Sequence, residues 1–421
     1  MNDTGMTDTP VSPRINTGRL WNHLQAMAAH GATANGGCNR QALTDIDRAG
    51  RDLFLDWCRA AGCEIRIDAI GNIFARRPGL DPEAAPVLTG SHLDTQPTGG
   101  KYDGVYGVLA GLEVIEALND QNIRTRHPLE VVVWTNEEGC RFDTAMMGSA
   151  VWSGAMPLEE ACALTDREGR NVGDELQRIG YRGEEPARPF PVHAAFELHI
   201  EQGPVLEAEK LAIGIVTGVQ HMSRHRVLID GIATHAGPTP MAMRRDPMMA
   251  LSVLLPALFA LAEEQGHDAR VTCGFVQARP GSSNTVPEQV ELTVDMRHPE
   301  LARYRALEAG LAAAVRDACA RYQLDGRVSC FWEAPGVTFD PDCVAAVAQA
   351  VETLGYSYRE MVSGAGHDAC NLASVVPTSM IFIPCEGGMS HNEVESITMK
   401  QSGQGANVLL LAMLERAGVA A

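Results

Sequence analysis

Four apolar runs in this 421-residue chain each lead into a polar cluster of carboxylates, three of them with a histidine, and that repeated pattern limits the fold more than any other feature. The runs are APVLTG (85–90), LEVVVWT (129–135), AAFELHI (194–200) and TSMIFIP (378–384). They lack the polar alternation of a sheet with one wet face, so they read as strands covered on both sides. Between the first two, Val105, Val108, Leu109, Leu112, Ile115 and Leu118 recur at helical spacing and complete a βαβ unit. Strands alternating with helices predict an α/β domain with a mixed, mostly parallel sheet flanked by helices.

The middle of the chain differs. RHRVLIDGIA (224–233), ARVTCGFVQA (269–278), EQVELTVDMR (288–297) and GRVSCFWE (326–333) read as strands, the third with clean alternation. The stretches 246–265 and 299–322 read as helices, the second opening on proline. The order β-α-β-β-α-β is that of a small split-βαβ domain. Residues 218–334 are therefore predicted to be an inserted α+β domain, and 1–217 with 335–421 to form the α/β domain around it. The first 15 or so residues read as a loose tail.

Lys and Arg number 34 against 53 Asp and Glu, a net charge of −19. That balance argues against a nucleic-acid partner or an anionic membrane surface. No run reaches the roughly 20 apolar residues of a membrane span, and the longest, LSVLLPALFALA (251–262), contains Pro256. The N-terminus MNDTGMTDTPVSPR has no apolar core of a secretory signal. Eleven cysteines, with no C-x-x-C pair, favour reduced thiols and a cytoplasmic location.

The polar clusters carry the chemistry. GSHLDTQPTGGKYDG holds His92, Asp94 and Asp103; WTNEEGCRF holds Glu137 and Glu138; ELHIEQGP holds His199 and Glu201; GGMSHNEVE holds His391 and Glu393. In open α/β sheets, sites lie beyond the carboxyl ends of the strands, so clusters from separate strands can converge. Imidazole suits Zn, Co, Ni or Mn, and a carboxylate can bridge two cations about 3.5–4 Å apart. Three histidines, a bridging Asp and a terminal Glu would fill two such positions. The Glu137–Glu138 pair lets one carboxylate bind metal while the other serves as general base. Asp94, two residues beyond His92, is expected to accept a hydrogen bond from the His92 ring nitrogen that does not bind metal. Each cluster alone reads as a loop. Together they stand in a chain without a G-x-G-x-x-G after a strand, a Walker loop, a G-x-S-x-G elbow or a cysteine in a nucleophile context.

At these residues the sequence resembles the amidase branch of the dinuclear metallopeptidase superfamily that includes aminoacylase and bacterial carboxypeptidases. The branch contains N-carbamoyl-L-amino-acid hydrolases, β-ureidopropionases and allantoate amidohydrolases. The resemblance runs from about residue 16 to 414 through the motifs above and through THAGPTPM, PGSSNTVP, DMRHP, SGAGHDA and SHNE, in the family's order. It implies two divalent metal ions per subunit, Zn, Mn, Co or Ni. His92 and His199 would hold one, Glu138 and His391 the other, and Asp103 would bridge them. Glu137 would be the general base, with Asp94 supporting the catalytic group. His199 separates this branch from its peptidase relatives, which place a carboxylate there.

The resemblance also implies that the inserted domain is a lid and dimerises the chain as a homodimer. His235, Asn284, Arg297, Gln202 and Gly366 would contact substrate, some of them in the partner subunit's site. His235 and Asn284 can donate to a developing oxyanion, and Arg297 can grip a carboxylate with two parallel bonds; by itself Arg297 reads as a surface ion pair at a strand end. His367 and Asp368 of SGAGHDA either shape the pocket or cap a helix. The activity implied is hydrolysis of the ureido C–N bond of N-carbamoyl-L-amino acids to L-amino acid, CO2 and NH3. β-Ureidopropionase and allantoate amidohydrolase are the alternatives, and a dipeptidase is a more distant one.

Overall fold

The apolar runs pair with one another. In the computed structural model, which describes residues 12–419, strands Val87–His92, Leu129–Trp134, Ala194–Ile200 and Thr378–Ile383 are buried at every residue. They are the parallel centre of a nine-stranded sheet, in the spatial order Leu129–Trp134, Val87–His92, Ala194–Ile200, Thr378–Ile383. Antiparallel strands extend both sides: Ile73–Arg77 and then Glu64–Ile67 on one, Ile213–Val219 on the other.

Both faces of the centre are apolar because successive residues point opposite ways. Val87, Val131 and Val133 belong to the main core, shared with helices Val105–Asp120 and Met399–Ala417. Leu88, Val132 and Trp134 belong to a second cluster with Trp152 and Leu372 on the opposite face. Helix Val105–Asp120 lies close on the strands because Gly107 permits it; a Cβ there would come within 2.3 Å of the Leu198 carbonyl. Helix Met399–Ala417 begins with a capping box, Thr398 and Gln401 bonding each other's backbone reciprocally. The chain divides into two compact units, Met1–Thr217 with Thr338–Ala421 and Gly218–Val337.

The smaller unit is a four-stranded antiparallel sheet in the order Asp325–Ala334, His221–Asp230, Gln289–His298, Arg270–Arg279. Along Gln289–His298 every second residue is buried. Val290, Leu292, Val294 and Met296 meet Leu254 and Leu258 of helix Pro247–Gln265, and Leu307 and Leu311 of helix Leu301–Arg321. A two-stranded ribbon pairs Thr234–His235 with Thr285–Val286.

Three details differ from expectation. Helix Pro247–Gln265 carries Pro256 inside it, yet by length and composition alone it is long and apolar enough to cross a membrane. Four strands had no strong sequence pattern: Glu64–Ile67, Ile73–Arg77, Ile213–Val219 and Tyr358–Ser363. The expected N-terminal tail lies outside the described residues as far as residue 11; Ile15, at its end, is buried and its N–H donates to Asn407 Oδ1 at 3.1 Å. All eleven cysteines are free.

Candidate active site

Each strand of the parallel centre delivers part of one cluster. His92 is the last residue of its strand and His199 the penultimate residue of its own. After Leu129–Trp134 the chain turns through left-handed Asn136 (φ 55°) into Glu137 and Glu138, and His391, beyond Thr378–Ile383, is also left-handed (φ 55°). Asp103 precedes helix Val105–Asp120. His199 Nε2 lies 3.1 Å and His92 Nε2 3.8 Å from Asp103 Oδ1. His391 Nε2 lies 3.4 Å from both Asp103 Oδ2 and Glu138 Oε2. Three groups of donor atoms each lie within 4.8 Å of one another, His92–Asp103–His199, Asp103–Glu138–His391 and the buried Glu197–His199–His367; Asp103 belongs to the first two, which meet at its carboxylate. Glu137 stands outside both groups, its Oε2 3.5 Å from His92 Nε2.

The two buried imidazoles are oriented by backbone. His92 Nδ1 is 2.9 Å from the carbonyl of Asp94, and His199 Nδ1 is 2.9 Å from the carbonyl of Ile200. A carbonyl only accepts, so Nδ1 carries a hydrogen in each ring. His92 turns its Nε2 lone pair on the cluster, while Nε2 of His199 stands 3.1 Å from Asp103 Oδ1 and carries a hydrogen toward it that a bound cation would replace. This corrects the expectation for Asp94: its carbonyl, not its carboxylate, bonds His92. The chain leaves the strand at His92, and the Asp94 carboxylate instead accepts the N–H groups of Glu137 and Glu138, both at 3.2 Å.

The charges fit a cation. Burial raises the proton affinity of Asp103, but the His199 hydrogen bond and the charges of His199, His92 and His391 outweigh it and hold the carboxyl far below its usual range. Burial, then Asp368, pushes Glu137 well above the ordinary carboxylate value; burial, then Asp103 and Asp94, does the same to Glu138. His92 is lowered by burial. For His199 burial is opposed by Asp103 and Glu197, which push it up to about 9. Crowded carboxylates facing imidazole lone pairs are relieved by positive charge brought among them.

The remaining sequence candidates divide. Gln202 joins the cluster, donating from Nε2 to Asp103 Oδ2 (2.9 Å) and Ser390 Oγ (3.2 Å). Gly366 precedes His367, whose ring meets that of His199 edge-on at 4.7 Å and whose Nε2 lies 3.0 Å from Ser363 Oγ. Neither His367 nor Asp368 caps helix Asp368–Leu372 with its side chain; Asp368 Oδ1 accepts the Ser149 hydroxyl at 2.5 Å. Glu201 accepts the N–H groups of Val205 and Leu206, and half-buried Glu393 accepts Asn35 Nδ2, so both stand apart from the donor groups. In the smaller unit His235 is exposed, its Nδ1 accepting the Gly237 N–H, and it pairs in register with Thr285, beside exposed Asn284. Arg297, near the far end of Gln289–His298, donates to both oxygens of Asp295. Two residues without a sequence signal also touch the groups. Gln96 donates to both Glu138 oxygens, and Glu395 bonds the turn that carries Asp103.

Imidazole lone pairs and shared carboxylates at the carboxyl ends of a doubly covered sheet define a metal-dependent hydrolase. Residues 88–415 match the model of Peptidase family M20/M25/M40, and the chain belongs to that family. It is 47% identical over 410 residues to an N-carbamoyl-L-amino-acid amidohydrolase of Rhizobium meliloti, covering 96% of this chain and 98% of that one. It is 32% identical over 392 residues to an allantoate amidohydrolase of Bacillus subtilis (strain 168), covering 93% and 95%. The crystal structure of an amidase of the hydantoinase/carbamoylase family from Burkholderia multivorans is similar at a TM-score of 0.93 and 50% identity, over 96% of this chain and 98% of that one.

Proposed function

We propose that this chain hydrolyses the ureido C–N bond of N-carbamoyl-L-amino acids, releasing L-amino acid, CO2 and NH3, with two divalent cations (Zn, Mn, Co or Ni). The carrying observation is that Asp103 is common to two donor groups while Glu137 stands beside them without joining either. His92, His199 and Asp103 would hold one cation, and Asp103, Glu138 and His391 the other. Bound divalent cations supply Lewis acidity toward a carbonyl oxygen and toward water. Glu137 takes the proton of the attacking water on its carboxylate and returns it to the leaving ureido nitrogen. Asp94 holds Glu137 and Glu138 through their N–H groups rather than acting on the substrate.

The substrate contacts argue for a homodimer. His235 and Asn284 sit beyond the Gln289 end of strand Gln289–His298, and Arg297 near its other end. At about 3.3 Å per residue, Arg297 lies roughly 26 Å along the strand from Gln289. No ureido acid of amino-acid size spans that distance. If both ends contact one substrate, as the resemblance implies, two copies of the small unit would have to serve each site, and this supports the homodimer proposed here. Free cysteines throughout support a reducing, cytoplasmic setting.

The test is a substrate panel. Chelator-stripped enzyme is reloaded separately with Mn, Co, Ni and Zn and given N-carbamoyl-L-amino acids, N-carbamoyl-β-alanine and allantoate, with ammonia release measured. The highest kcat/KM is expected on an N-carbamoyl-L-amino acid. A clear preference for allantoate or the β-alanine derivative moves the substrate, and full activity in protein shown to be metal-free by elemental analysis ends the reading.

A further inference from the structure

Glu395 lies four residues beyond His391 and is 4% exposed, yet it belongs to neither donor group. Its Oε1 accepts the N–H of Tyr102 at 2.9 Å and of Asp103 at 3.1 Å. Its Oε2 lies 3.1 Å from Ser390 Oγ, and that hydroxyl lies 2.8 Å from Asp103 Oδ2, the oxygen facing His391. One glutamate thus holds the Asp103 backbone directly, while the Ser390 hydroxyl, whose one hydrogen serves one carboxylate at a time, stands between it and the Asp103 carboxylate. The chain passes over this carboxylate at Gly100, where a Cβ would lie 2.1 Å from Glu395 Oε1 and from its carboxyl carbon. The second glycine of TGGKYDG is required by a glutamate nearly three hundred residues away.

We propose that Glu395 is a positioning residue that clamps the turn at 100–103 and so fixes the Asp103 carboxylate between the two donor groups. The inference rests on the reading of Asp103 as the ligand common to both cations. Removing the clamp leaves the Tyr102 and Asp103 N–H groups without their acceptor, and the turn shifts to find others. The carboxylate carried by that turn then loses its place. Partners that orient a ligand in this way typically change metal affinity by about 10–100-fold when removed. A role in stability alone would lower the melting temperature and leave ion affinity untouched.

The experiment titrates chelator-stripped protein with Mn²⁺ and with Zn²⁺ by calorimetry, alongside circular dichroism. The variants are Glu395→Gln, Glu395→Ala and Gly100→Ala, with Asp103→Asn as reference. Affinity about 10–100-fold weaker is expected in Glu395→Ala and Gly100→Ala, with Glu395→Gln intermediate because its amide oxygen still accepts from the turn. Wild-type affinity in either folded alanine variant overturns the clamp. If neither alanine variant folds, Glu395→Gln decides, and wild-type affinity there overturns it equally. Wild-type affinity in Asp103→Asn as well would instead locate the failure in the ligand reading.

Discussion

Gly104→Ala is the sharpest test of how the cluster is held. Gly104 precedes helix Val105–Asp120 with φ +67°. A Cβ built there lies 2.3 Å from His92 Cε1 and Nε2 and 2.4 Å from Cδ2, where ordinary contacts are 3.4–4 Å. The ring must therefore retreat by about 1 Å, a displacement that typically costs around 10²-fold in rate at a reacting centre. It has little room, since His92 is buried and its Nδ1 is tied to the Asp94 carbonyl. Gly62→Ala is the control. Gly62 has φ +80° with nothing within 4 Å of its Cβ position, so alanine there meets the left-handed backbone penalty of about 1–2 kcal/mol without any clash. The assay is kcat/KM on an N-carbamoyl-L-amino acid at saturating metal, with thermal unfolding followed in parallel. Gly104→Ala is expected to lose about 10²-fold in kcat/KM, and Gly62→Ala to lose only roughly 2 °C in Tm with unchanged kinetics. Equal, near-wild-type kinetics in both variants would refute the reasoning that His92 is packed in place by the absence of a side chain at 104.

Other outcomes follow from the same geometry. Glu137→Gln keeps the shape and removes the base, so kcat should fall by about 10²–10⁴-fold while metal content by elemental analysis stays near wild type; metal loss with undiminished activity per metal would exchange the roles of Glu137 and Glu138. Arg51 and Asp47 form a fully buried ion pair at 2.9 Å, with Arg51 also donating to the Gly71 carbonyl at 2.8 Å. Arg51→Met strands the Asp47 charge and should lower denaturant stability by about 3–5 kcal/mol, most of it recovered in the double variant with Asp47→Leu. Inactive His235→Ala and inactive Glu137→Gln proteins should regain activity on subunit exchange, because a mixed dimer assembles one complete site; proven exchange without recovery would assign His235 to its own chain.

The strands that carry the cluster were legible because burial on both faces leaves a mark on composition. LEVVVW and AAFELHI read as strands buried inside a sheet, and the polar residues after them are then placed at its carboxyl edge. The edge strands left no such mark. Glu64–Ile67 is half-exposed and four residues long, and its pairing with Ile73–Arg77 is decided by the sheet already present beside it. Helix Pro247–Gln265 was legible as a helix, though its composition alone does not say what it packs against. Its apolar composition satisfies a membrane criterion, while its Leu251, Leu254 and Leu258 are spent on a sheet face and Met248, Met249 and Phe259 stay exposed.

Within the cluster, residue types were legible and hydrogen-bond partners were not. Spacing places Asp94 on the same side as His92 only while the chain stays extended, and the strand stops at His92. Beyond that point a backbone carbonyl and a carboxylate of the same residue compete for one imidazole, and no pattern of letters decides between them. Glu395 poses the same difficulty at longer range. In GGMSHNEVE it differs from Glu393 by two positions, yet one is buried against the Asp103 turn and the other is half-buried and bonded to Asn35. What distinguishes them is the path of residues 99–104, fixed by Gly100 beneath the carboxylate and Gly104 against the imidazole. The two glycines leave space for a glutamate and a histidine that both approach Asp103. Read in that way, the spacing of GGKYDG is a steric specification of where Asp103 must stand, written around two side chains that come from other parts of the chain.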